Sequence, residues 1–356
     1  MQIPVPTRVP TTKKRLLRRS RPDRSQRLRL GVQLAFVVLN VWIGVQFYLW
    51  VRHFETLGAS RLVERPAGVE GWLPVASLMS LKYLLITGLV PEIHPAGLFL
   101  LLAFLLIAAA FRKAFCSWLC PIGTLSEYLW KLGRSAMRNF TLPRWADIPL
   151  RSLKYLLLAF FVFVIAKMEV TALESFLASP YALIADVKML NFFRFVSTTT
   201  ATVLAALILL SVFVPNFWCR YLCPYGALMG IVSLLSPVRI RREAAPRIDC
   251  ARCAKACPSH LPVDKLVQIR SAECSGCLEC VAVCPAEGAL YSAFRVPLLM
   301  QRNRRVSAGA FAVGVAIVFL GITGWAKATG HWRSNVPYAI YQQLVPTASK
   351  TSHPDR

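Results

Sequence analysis

The chain has 356 residues, of which 56% are hydrophobic, and sets 42 Lys and Arg against 17 Asp and Glu for a formal charge of +25. A mean hydropathy of +0.50 excludes an ordinary soluble enzyme and makes a bilayer the better solvent. No nucleic-acid partner is expected, because the basic residues flank apolar runs instead of covering one soluble face.

In chain order, residues 1–29 form a basic tail, TTKKRLLRRSRPDRSQRLRL in its later part. It is too long for a signal n-region and no small-residue cleavage site follows, so it reads as cytoplasmic anchor sequence. A helix needs about 20 apolar residues to cross ~30 Å of hydrocarbon. Five stretches are candidates: about Leu30 to Val51, 96–111, 153–166, about Val196 to Phe217, and about Val306 to Trp325. The second and third are short and need a flanking turn to span. Residues 72–90 (WLPVASLMSLKYLLITGLV) contain Pro74, Lys82 and Gly88 and read as a re-entrant or surface-lying helix. Gln33, Asn40 and Gln46 in the first stretch are expected to hydrogen-bond neighbouring helices.

Five spans place the two ends of the chain on opposite sides. With the N-terminus inside, segments 1–29, 112–154 and 216–305 hold 31 of the 42 basic residues, which predicts a bacterial inner-membrane protein with its C-terminus periplasmic. The fold class expected is an α-helical polytopic membrane protein of about five transmembrane helices with an inserted bacterial-type two-cluster ferredoxin domain (α+β). Its parts are the tail, a membrane domain at 30–240, an iron-sulfur domain at 241–298, the fifth helix at 306–326 and a periplasmic tail at 327–356. No motif is legible in that last tail.

All eleven cysteines fall between residues 116 and 284, in segments the charge distribution places in the reducing cytoplasm. Disulfides are disfavoured there, and clustered cysteines point to metal or redox chemistry. Cys274, Cys277, Cys280 and Cys284, followed by Pro285, make the full C-x2-C-x2-C-x3-C-P run of a bacterial ferredoxin, whose fourth cysteine serves the neighbouring cluster. Zinc would take four ligands, usually in two distant pairs; seven cysteines with two C-x3-C-P endings predict two iron-sulfur clusters instead. The earlier run holds Cys250, Cys253 and Cys257, with Arg247 where its first cysteine should stand. Cross-ligation gives one full [4Fe-4S] set, Cys274, Cys277, Cys280 and Cys257. It leaves Cys250, Cys253 and Cys284 one ligand short, for a [3Fe-4S] centre or a [4Fe-4S] centre completed by Asp249, water or a cysteine from elsewhere.

The remaining four cysteines recur as a pair of pairs: FCSWLCPIG at 115–123 and WCRYLCPYG at 218–226. Cys116 and Cys120 follow the second apolar stretch, Cys219 and Cys223 the fourth, so both pairs reach one cytoplasmic interface. Residues four apart share a helix face. Pro121 and Pro224 end that helix and suit the start of the next, where the helix dipole would lower the pKa of Cys120 and Cys223. These four are the candidate catalytic residues, as ligands of a fixed centre or as dithiols.

These runs, the two C-x3-C-P segments and the outer segment RPAGVEGWLPVASLMSLKYLLITG resemble the membrane polyferredoxins related to NapH, the membrane core of NosR, MauN and CcoG, over roughly residues 30 to 325. The resemblance implies inner-membrane electron transfer, often from quinol, toward respiratory enzymes or metallocofactor maturation. It does not identify a partner. The chain lacks the large flavin-binding domain of NosR-like proteins and the immunoglobulin-like domain of CcoG-like ones. The function expected is a relay of electrons between the quinone pool and a respiratory or maturation partner protein, with lipid and quinol as further partners. The alternative is a metallocofactor maturation protein whose four interfacial thiolates capture a soft metal such as Cu(I). A haem between His53 and His94 is disfavoured against surface or capping roles, and Glu70, Glu92 and His94 are weighed as quinol bases against ordinary interfacial polar residues.

Overall fold

The computed structural model describes residues 23–136, 142–243, 245–246, 248–294 and 304–354. Most of the basic tail, Arg247 and the end of the expected iron-sulfur domain lie outside the described residues. The helices are, in order, α1 (Ser25–Glu55), α2 (Pro74–Thr87), α3 (Pro95–Phe111), α4 (Pro121–Ala136), α5 (Arg144–Lys167), α6 (Val170–Leu177), α7 (Pro180–Leu183), α8 (Ala185–Arg194), α9 (Thr198–Phe213) and α10 (Pro224–Val232). Two short helices, α11 (Arg252–Lys255) and α12 (Glu279–Ala282), sit in the two ferredoxin runs, and α13 (Ala308–Ala328) and α14 (Tyr338–Leu344) follow.

Among the described residues, α1, α5 and α13 are long and apolar enough to cross a membrane, and α8 with α9 forms a fourth candidate bent by 82°. α5 exceeds the expected stretch because its polar first turns find partners: Asp147 pairs with Arg151 one turn on and with Arg220. α3 matches its stretch but has only 17 residues, about 25 Å of rise. The fourth stretch departs most. Its helix has 16 residues, because the Ser197 hydroxyl accepts the Thr200 amide at 3.2 Å and starts a new helix, while Pro215 disfavours helix at Val214. Large apolar side chains point outward on these helices, among them Trp42, Leu156, Ile208 and Leu320, as a chain solvated by lipid requires. α2 is too short to cross. Lys82 is tolerated in it because its ammonium donates to the carbonyls of Ile165 and Ala166 at 2.9 and 3.1 Å, at the C-terminal end of α5.

The chain divides into two compact units. The first takes residues 1–37, 104–155 and 207–318, the second residues 38–103, 156–206 and 319–356. The division falls within α1, α3, α5, α9 and α13, the helices that answer to the five expected stretches.

In the first unit, β1 (Val238–Arg242) precedes the cysteine runs and β2 (Leu290–Phe294) follows them, paired antiparallel from Val238↔Phe294 to Arg242↔Leu290. β3 (Arg304–Arg305) adds to β2. The pairing closes the ends of the ferredoxin segment on each other. In the second unit, Phe47, Trp50, Val51 and Phe54 on α1 pack with Val187 on α8 and Tyr341 on α14.

Candidate metal centres

The seven ferredoxin cysteines line two separate cavities. One is lined by Cys257, Cys274, Cys277 and Cys280 among apolar residues that include Ile240, Leu261 and Val263. The other is lined by Cys250, Cys253 and Cys284 together with Asp249 and Arg242. The division follows the cross-ligation that the spacing predicts. Each run bends its backbone in the same way: Asp249 and Ala251 around Cys250, and Gly276 and Leu278 around Cys277, all have φ between 53° and 66°. Such successive turns aim amides inward and suit an anionic cluster. Burial pushes the free Cys257 thiol up to about 12.

The two C-x3-C pairs lie on matched turns. Phe115–Leu119 and Trp218–Leu222 are π-helical, with Cys120 N–H donating to Phe115 O at 2.9 Å and Cys223 N–H to Trp218 O at 3.0 Å. This corrects the α-helical expectation. The wider turn still carries residues four apart on nearly one side. Pro121 and Pro224 then open α4 and α10, and the sulfurs of Cys120 and Cys223 accept the amides of Gly123 and Gly226 at 3.4 and 3.3 Å.

The expected lowering of the thiol pKa is also corrected. Burial pushes Cys116 to about 11 and, against the amides at the start of α4, Cys120 to about 12; Cys219 is raised as well, and so is Cys223 against the amides at the start of α10. Part of the rise is mutual, since Cys219 feels Cys223, Cys120 and Cys116. The two turns therefore bring all four thiols near one another, half-buried, with Tyr225 beside them. Left free they stay protonated; a bound metal centre would displace the protons.

The first turn docks onto the first ferredoxin cavity. Ser117 Oγ donates to Ser275 O at 2.7 Å and the Trp118 indole N–H to Gly276 O at 3.2 Å, in the loop between Cys274 and Cys277. Gln26 on α1 donates to Cys277 O at 3.0 Å. From the second turn, Arg220 reaches Pro258 O at 3.2 Å, next to Cys257, while its other nitrogens hold Asp147. Both turns thus bond to the loops that carry cysteines of that cavity.

A charge cluster joins the same parts, and sequence reasoning missed it. Glu273, immediately before Cys274, meets the fully buried Lys154 at 2.7 Å, the Tyr155 hydroxyl at 2.8 Å and Lys113 at 3.9 Å. Burial works against its charge, yet Lys113 and Lys154 hold the carboxyl down at about 2. The same two lysines outnumber the one carboxylate and act on Cys116 and Cys223, the sign of charge that an anionic metal–thiolate centre needs. Lysines read singly at the ends of apolar stretches gave no signal of this.

Among the described residues, no three His, Cys, Asp or Glu side chains close on a single ion position. That holds for the ferredoxin cysteines too.

The second unit holds a different polar network. Arg65 binds Asp186 at 2.6 Å and Glu70 at 2.8 Å, and Glu70 also accepts the Gly97 amide at 3.0 Å and lies 3.3 Å from His94 Nδ1. The other nitrogen of His94 donates to Ala182 O at 2.8 Å. His53 is engaged by Ser60 O and, at 2.9 Å, by the Tyr338 hydroxyl. Both histidines are thus engaged in bonds to protein. Gln33 donates to Ser117 O at 3.0 Å, Asn40 accepts from Trp72 at 3.2 Å, and Gln46 donates to Glu64 O at 3.0 Å.

A family described as "4Fe-4S binding domain" matches residues 93–139 and again 196–243, each match enclosing one C-x3-C-P pair. A "4Fe-4S dicluster domain" matches residues 239–292. YccM of Escherichia coli (strain K12), whose name describes it as an electron transport protein, is 47% identical over 91% of each chain. NirI of Paracoccus denitrificans is 29% identical, covering 72% of this chain and 37% of its own length. The ferredoxin-type protein NapH of Escherichia coli is 29% identical, over 50% of this chain and 61% of NapH. No solved structure matches.

Proposed function

We propose, on the premise that this chain belongs to the membrane polyferredoxin family of YccM, NirI and NapH, that it carries electrons between the quinone pool and a respiratory or cofactor-maturation partner. Iron-sulfur clusters, when bound, supply one-electron chemistry. Cys257, Cys274, Cys277 and Cys280 would hold one, and Cys250, Cys253 and Cys284 the next. Cys116, Cys120, Cys219 and Cys223 would together hold a further metal–sulfur centre, consistent with the family match that encloses each pair.

The observation that carries the reading is the docking of Ser117 and Trp118, neighbours of Cys116, on the loop between Cys274 and Cys277. It fixes the four-cysteine site beside the first ferredoxin cavity through directed hydrogen bonds. Lys113, Lys154 and Glu273 supply the fixed charge between them.

The test is replacement of either pair by serine, Cys116→Ser with Cys120→Ser or Cys219→Ser with Cys223→Ser, in anaerobically purified protein. Each double variant should lose the same iron and the same EPR component and stop quinol-linked reduction of the ferredoxin clusters, and the quadruple variant should be no worse. Quinol-linked turnover persisting in the quadruple variant would refute it. Copper bound stoichiometrically at the four sulfurs, without iron, would favour the maturation role instead.

A further inference from the structure

We propose that Asp249 supplies the fourth ligand, through a carboxylate oxygen, of the cluster held by Cys250, Cys253 and Cys284; the inference rests on the dicluster reading of this segment. The cavity those cysteines line contains no fourth cysteine. None is in reserve either: of the chain's eleven cysteines, four line the sister cavity and four stand on the π-helical turns. The position where a ferredoxin's first cysteine would stand is Arg247, and arginine cannot ligate iron. Asp249 is the one carboxylate on the wall of the cavity.

Comparison of the two runs shows how the backbone at Asp249 is set. Cys250 corresponds to Cys277, so Asp249 corresponds to Gly276, and the two share the left-handed backbone with φ of 54° and 66°. Each lines its own cavity. Where the complete run has a glycine, the incomplete run has an oxygen ligand, and aspartate is among the few residues that accept this conformation. Arg242 on the same wall offsets the added negative charge. Carboxylate is a harder ligand than thiolate and binds a cluster iron less firmly, and the neighbouring Cys250 is exposed. One iron of this cluster is therefore exchangeable with solvent.

The experiment uses the anaerobically purified full chain, comparing wild type, Asp249→Cys and Asp249→Asn. Ferricyanide with EDTA converts a [4Fe-4S]2+ core to [3Fe-4S]+, with Fe2+ going to the chelator and one electron to ferricyanide. Wild type is expected to lose about one iron per chain under mild treatment and to gain a three-iron EPR signal, reversed by Fe2+ and dithionite. Asp249→Cys should resist the same treatment, and Asp249→Asn should show the three-iron signal before it. Equal resistance of wild type and Asp249→Cys, or a three-iron centre in wild type that Fe2+ and dithionite leave unchanged, would overturn the assignment. Should Asp249→Asn fail to assemble, the comparison with Asp249→Cys still decides. Absence of any four-iron signal sensitive to Cys280→Ser would instead sink the dicluster reading itself.

Discussion

Gly123 and Gly226 hold matched places, two residues after the prolines that open α4 and α10, yet their surroundings differ. A Cβ on Gly123 would stand 2.2 Å from the carbonyl oxygen of Cys116, a backbone atom that cannot swing aside. At Gly226 the nearest atoms, Cys219 O and Cys223 Sγ, are 3.6 Å away, an ordinary contact. Gly123→Ala should therefore displace the first cysteine turn, cost about 1–3 kcal/mol and remove the metal signal of the four-cysteine site. Gly226→Ala should leave that signal intact and be neutral or up to ~1 kcal/mol stabilising through helix propensity; iron content and thermal melting of the two variants compare them directly, and equal loss from both would contradict the geometry. In the second unit, burial opposes the charge on His94 but Glu70 outweighs it and raises the imidazole's pKa, while Arg65 holds Glu70 below the usual carboxylate range despite burial. A raised histidine contributes stability fully below its ordinary value of about 6.5 and loses it as pH rises through the folded value; a lowered carboxylate loses its share as pH falls below about 4.5. Thermal stability in detergent should thus be highest between those limits, and His94→Gln should abolish the alkaline decline.

Helix α4 follows the first cysteine turn and lies against the end of α9, which leads toward the second. Gly133 permits this contact: a Cβ there would come within 2.1 Å of Val212 O and 3.0 Å of the Val212 side chain. Gly133→Ala should push the helices apart at a cost of about 1–3 kcal/mol, lowering the melting temperature and loosening the cysteine pairs, seen as faster thiol alkylation in metal-free protein. Unchanged alkylation and melting would mean the two helices do not meet there. The cysteine spacing made the two ferredoxin sets legible in the sequence, because ligand order follows chain order within a cluster run, and the repeat F/W-C-x-W/Y-L-C-P-x-G marked the other four. The π-helical form of those turns was not legible, since one extra residue in a hydrogen-bonded ring leaves no trace in apolar periodicity. Nor was the short α9, whose end is set by Ser197 and Pro215 inside a stretch that reads as continuously apolar. Glu273 with Lys113 and Lys154 joins residues 119 and 160 positions apart, a relation only the folded chain supplies.

At the scale of the whole chain, the orientation expected in the membrane rests on how charge is distributed along the sequence. Sequence segments 1–37, 104–155 and 207–318 contain 31 of the 42 Lys and Arg and all eleven cysteines, and the segments between and after them contain the other 11 basic residues. The chain passes from one unit to the other five times, so residue 23 belongs to the first and residue 354 to the second. A cytoplasmic location of the cysteine-bearing segments would keep the exposed Cys250 and its exchangeable iron among reduced thiols. Alkaline phosphatase, which is active only after export, should accordingly work when fused at residue 340 and fail when fused after residue 290. Activity at 290 with silence at 340 would invert the protein in the bilayer and place the clusters where an oxidising compartment would attack them.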